Sequence, residues 1–126
     1  MESTMVNNLL DKALREYDMV MEELNRPQED LVMIAACELI KESIKDFLTA
    51  YLVGKGVLDL PKGDVLALQE ECAKIDPVFE NLNLNTIPYL KKDTDNMTFM
   101  HITAGGQLQK HIQKLEITKE LVVSSL

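Results

Sequence analysis

Residues 31–53 read LVMIAACELIKESIKDFLTAYLV, and this stretch decides the fold. It contains neither Pro nor Gly and is rich in Leu, Ala, Ile, Glu and Lys. Apolar residues fall at Ile34, Cys37, Leu39, Ile40, Ile44, Phe47, Leu48, Tyr51 and Leu52, the three-to-four-residue recurrence of one helix face. Glu38, Lys41, Glu42, Lys45 and Asp46 fill the gaps. Glu38 with Lys41 and Glu42 with Lys45 are opposite charges at helical spacing. A helix of this length spans roughly 35 Å, the long dimension of a small bundle. Gly54 and Gly56 supply its stop, because glycine accepts the left-handed conformation that ends a helix. Residues 31–37 carry no polar side chain. A helix end that is apolar all round is covered all round. Either it lies inside the bundle, or Leu31, Val32, Met33 and Ala36 form a dimer interface.

The flanking sequence repeats the pattern. Upstream, Val6, Leu9, Leu10, Ala13, Leu14, Tyr17, Val20, Met21 and Leu24 make an apolar stripe, with Ser3 or Thr4 as cap. Asp11, Glu16, Asp18, Glu22 and Glu23 make a solvated acidic face, and this helix ends near Asn25, ahead of Pro27. Downstream, Pro61, Gly63 and Asp64 are turn and cap residues before a third helix over 65–75, with Leu66, Leu68, Cys72 and Ile75 apolar. Asp76 and Pro77 start a fourth helix, with Val78, Phe79, Leu82 and Ile87 apolar and three Asn residues weakening it before Pro88. KKDTDNM at 91–97 is a polar surface loop. Thr103 caps a last helix from 104 to about 123, apolar at Leu108, Ile112, Leu115, Ile117, Leu121 and Val122. No run alternates with period two, so no sheet is expected. The reading is all-α: one domain over 1–126, an up-and-down bundle of about five helices.

Composition narrows the function classes. The chain has 126 residues, long enough for a real core, with net charge −8, seven Met and no Trp. Such an acidic surface disfavours nonspecific binding to nucleic acid or anionic lipid. Cys37 and Cys72 form no CxxC and sit in apolar contexts, which predicts reduced, buried thiols and a cytoplasmic protein. No apolar run is long enough to span a membrane, and the early acids give no signal-peptide pattern.

Catalytic signatures are sparse. His101 and His111 are the two histidines, ten residues apart, and there is no HExxH, Asp-rich loop or Cys/His cluster. No metal and no cofactor are expected. Glu70 and Glu71 are adjacent and point to different faces, so they are not a paired acid and base. Gly105 and Gly106 open a helix but match no phosphate-loop motif. Lys91, Lys92, Lys110 and Lys114 form the best candidate basic patch, with Lys110 and Lys114 one turn apart on one face. The alternative is ordinary solvated lysines.

AACELIKESIKDFLTAYLVGKGV followed by DLPKGDVLALQEECAKIDPVF resembles the core of the HEPN domain, and TAGGQLQKHIQKLEITKELV resembles its closing helix. The resemblance spans about residues 5–123 and rests on helix lengths and small residues. It implies a compact, often dimeric helical bundle of the type that serves as the substrate-binding subunit of a small nucleotidyltransferase, including toxin–antitoxin systems. It also implies nucleotide binding near Lys91, Lys92, Asn96, His101, Lys110 and Lys114. Catalytic members resemble metal-independent ribonucleases with Arg four to six residues ahead of His. Here those positions are Thr94, Asp95 and Asn96 before His101, and Ala104, Gly105 and Gly106 before His111. Arg15 and Arg26, the only arginines, lie far upstream. An acid at Asp95 would oppose an RNA phosphate. The first expectation is therefore a non-catalytic module, homodimeric, with a nucleotide or a nucleotidyltransferase as partner. The second is a helical interaction or regulatory protein without a small-molecule site. The third is a ribonuclease with an unusual dyad.

Overall fold

A computed structural model describes residues 2–24, 33–61, 64–84 and 108–126. Four α-helices and one 3-10 helix follow in order: α1 (Glu2–Leu24), α2 (Met33–Gly54), α3 (Val65–Ile75), η1 (Pro77–Leu82) and α4 (Leu108–Ser125). Among the described residues there is no strand, as the spacing predicts. None of the helices is long and apolar enough to cross a membrane.

The organising helix is α2, which packs against α1, α3 and α4. Three neighbours require burial on several sides, and the sequence meets that demand. Ile40, Ile44, Phe47, Leu48, Tyr51 and Leu52 are all buried, with Ala36, Cys37 and Ala50 filling the narrow places. The contact with α1 is built on small residues. Ala13 and Ser43 are each fully buried, and the Ser43 hydroxyl donates to the Ala13 carbonyl at 2.8 Å. A short side chain reaches a neighbouring backbone only when the two helices lie close together. The bond also satisfies the Ser43 hydroxyl, which would otherwise be costly to bury.

The end of α2 has a defined stop. The Val57 N–H bonds to the Leu52 carbonyl and the Gly56 N–H to the Val53 carbonyl, both at 3.0 Å. Gly56 takes φ +84°. This is the paired-bond glycine termination that leaves few carbonyls unsatisfied. Gly56 rather than Gly54 makes the turn. Gly54 is the last helical residue, and a Cβ there would come 2.6 Å from Leu126 Cδ2.

Caps set the next two elements. Asp64 Oδ1 accepts from the N–H groups of Leu66 and Ala67 at 3.0 and 3.2 Å and starts α3. Asp76 Oδ1 accepts from the Val78 N–H at 3.1 Å, with Pro77 in the first turn of η1. The fourth helix is a correction to the sequence reading. It is a short 3-10 helix ending at Leu82, because Asn83 adopts the left-handed conformation with φ 50°. Ile87 and Pro88 lie outside the described residues. The short helix is held by its own contacts: the Phe79 ring meets the Tyr51 ring at 4.5 Å, and Gln69 Nε2 donates to the Phe79 carbonyl at 2.8 Å.

The last helix is described from Leu108, and residues 104–107 lie outside the described residues. Its buried stripe is His111, Ile112, Leu115, Thr118 and Val122. Ile117, assigned to the core by apolar character, is 48% exposed, and Thr118 takes the inward position instead. Thr118 manages this because its hydroxyl bonds to the Lys114 carbonyl within the helix, at 2.8 Å. Ile75, also expected to be inward, is exposed at the end of α3.

If α2 is the core, truncating its most enclosed ring should be severe. Phe47→Ala should lose about 3–5 kcal/mol in urea denaturation, whereas Leu58→Ala, at an exposed position, should stay within about 0.5 kcal/mol of the parent.

Candidate functional site

The residues that the sequence nominates divide sharply. Lys91, Lys92, Asn96 and His101 lie outside the described residues, as do Leu31, Val32 and the Met33 side chain. Lys110 is exposed and Lys114 half-buried on α4. Ala36 is fully buried within the single chain. Arg15 is exposed on α1, where its Nε lies 3.4 Å from the Asp11 carbonyl one turn back.

The described structure brings together a different set. Carboxylate oxygens from Glu16 on α1 and from Glu42 and Asp46 on α2 all lie within 4.8 Å of one another. Glu42 and Asp46 are one turn apart, so they share a face of α2. Glu16 stands one turn beyond Ala13 on α1, and so on the same seam. Asp46 is 5% exposed. Lys12 places Nζ 3.0 Å from Asp46 Oδ2 as an ion pair. Neither that oxygen nor Glu16 Oε1 accepts a well-formed hydrogen bond, although both are cut off from solvent. The sequence reading put Glu16 on a solvated acidic face, and this is corrected: Glu16 is half-buried, and Asp46 is buried, because they flank the close approach of Ala13 and Ser43.

Three carboxylates around one ammonium cannot all be ionised cheaply away from water. Burial pushes the Glu16 carboxyl up to about 8, aided by its hydrogen bond to Asp46 and by the Asp46 and Glu42 charges, while Lys12 pulls the other way. Lys12 is itself raised, chiefly by its bond to Asp46. A proton on Glu16 would supply the donor that the facing carboxylates otherwise lack. This pattern was hard to see in the chain, because it depends on the register of α1 against α2. The i, i+4 pair of Glu42 and Asp46 was the one local signal.

Other titratable groups are structural. Cys37 and Cys72 are free and buried. Burial, with Glu38 nearby, pushes the Cys37 thiol up to about 11. Burial, with Glu71 nearby, pushes Cys72 up to about 12, and its Sγ lies 3.7 Å from the Leu48 carbonyl. His111 is 3% exposed, and burial, reinforced by Lys110, lowers its pKa. A buried neutral imidazole suits a core position at the start of α4.

A shallow groove of about 460 Å³ runs between α1 and α4, lined by Tyr17, Glu116, Ile117, Lys119 and Leu121 among others. Tyr17 bridges it: its hydroxyl donates to Glu116 Oε1 at 3.3 Å, and Lys119 Nζ stands 4.5 Å from its ring centroid.

No family model matches the chain, and neither a curated protein nor a solved structure matches it.

Both thiols should be inert in the folded protein. At pH 8 a thiol reagent should label Cys37 and Cys72 at least about 100-fold more slowly than in urea, from the lowered thiolate fraction alone. Rapid labelling of either under native conditions would contradict their burial.

Proposed function

We propose that the chain is a non-catalytic HEPN-like binding module that works as a homodimer and engages a nucleotide or a small nucleotidyltransferase. The observation that carries this reading is the arrangement of the helices. A long α2 of small and aliphatic residues is flanked by α1, α3 and a closing α4, which supports the all-helical part of the reading. The missing guanidinium supports the non-catalytic part, since no Arg stands four to six residues before either histidine. Lys91, Lys92, Asn96, His101, Lys110 and Lys114 are the residues through which a phosphate would be held.

The groove between α1 and α4 favours a second reading, a helical interaction protein with no small-molecule site. Ile117 is half exposed there beside Tyr17 and Leu121, which are partly buried against the core.

Calorimetric titration with nucleoside triphosphates separates the two. Saturable heat at or below millimolar ligand, reduced at least about fivefold in affinity by Lys110→Ala with Lys114→Ala, supports the module, and absence of heat removes the nucleotide. Incubation with RNA tests the remaining ribonuclease idea: cleavage lost in His101→Ala would overturn the non-catalytic reading.

A further inference from the structure

The seam between α1 and α2 joins a steric contact to a charge cluster. Ser43 bonds to the Ala13 carbonyl, and the cluster flanks that bond: Glu16 is one turn along α1, and Glu42 and Asp46 stand on either side of Ser43 on α2. Among the described residues the charged groups that face Glu16 are Lys12 from its own helix, and Glu42 and Asp46 from α2. Lys12 is directed to Asp46 Oδ2 at 3.0 Å, with its side chain about half exposed. One ammonium faces three carboxyl groups, and Glu16 Oε1 is enclosed with no donor pointing at it. With a proton on Glu16, one of the two facing acceptors becomes a donor. With that proton gone, a third negative charge, with one oxygen enclosed, faces Asp46 and Glu42 beside Lys12, whose ammonium is already directed to Asp46, and parting the helices relieves the repulsion.

We propose that the Glu16–Asp46 contact is a proton-operated latch on α1: the shared proton holds α1 against α2, and its release to water at alkaline pH loosens that helix from the rest of the chain.

The sign follows from linkage. Glu16 titrates higher when the seam is closed than when α1 is free in water, where its ordinary value is 4.5. Between those values the closed seam holds a proton that the open one has lost. The latch is fully closed below 4.5 and weakens as the pH rises towards about 8.

Two measurements test the latch. Carbon-detected carboxyl titration by NMR should show one glutamate, assigned through Glu16→Gln, with its midpoint far above the rest. In Asp46→Asn that midpoint should fall. Native-state hydrogen exchange, corrected for intrinsic rates, should then show the opening equilibrium of amides in 10–20 rising more than about tenfold from pH 6 to pH 8.5. In Glu16→Gln the rise should be less than about twofold, because the amide is a donor at every pH. Glu70→Gln, at an exposed position on α3, should behave as the parent. A Glu16 midpoint within one unit of 4.5, or an α1 opening that rises equally in parent and Glu16→Gln, would overturn the proposal.

Discussion

The structure depends on how closely α1 can approach α2. That distance is set where Ala13 and Ser43 meet, both fully buried and joined by a 2.8 Å bond from hydroxyl to carbonyl. A larger residue at either place would push the helices apart. The aliphatic side chains further along the seam would then lose the dense packing that makes their burial stabilising. The same closeness draws Glu16, Glu42 and Asp46 together, since residues that flank a tight crossing are carried in with it. Packing and electrostatics here are therefore one constraint. The small residues permit the approach, and the carboxyl groups bear its electrostatic consequence.

Around that seam α2 serves as a common wall. Its other sides receive α3, through Cys72 against the Leu48 carbonyl, and η1, through Phe79 against Tyr51. The end of α4 reaches the end of α2, where Leu126 lies over Gly54. By contrast, α1 and α4 meet mainly through Tyr17, Glu116 and Lys119. The chain thus has one densely packed helix and a more open face beside it. Binding surfaces commonly lie on such faces, where apolar residues such as Ile117 are left partly exposed. The reading as a binding module, nucleotide-directed or protein-directed, needs only that a partner engage surfaces that folding leaves unused.

Periodicity made the helices legible, and caps made their boundaries legible. The span of α3 and its Asp64 cap, the Asp76–Pro77 start and the glycine stop after α2 could each be read from a few residues, because each is a local interaction. Three features were not local. Asn83 turned an expected α-helix into a short 3-10 helix, a competition between Asn-rich backbone preference and apolar spacing that the chain alone leaves balanced. Ile117 and Thr118 exchanged places because the rotation of α4 is set by what it packs on, and a threonine can enter a core once its hydroxyl bonds to its own helix. Glu16 looked like a surface charge and Asp46 like one of several charges between apolar positions, since their burial follows from a register between segments about thirty residues apart. For the site, the nominated lysines of α4 are placed on the surface, and the carboxylate cluster is what the tertiary structure adds.

The central claim is that α2 is the wall on which everything else is assembled, and site-resolved hydrogen exchange on the native protein tests it most directly. The account requires the amides of 40–52 to exchange only through global unfolding, with protection equal to the full stability measured by denaturation. It requires α1 and α4 to open at lower free energy. Finding α2 amides that exchange through local opening as readily as those of α1 or α4 would contradict it.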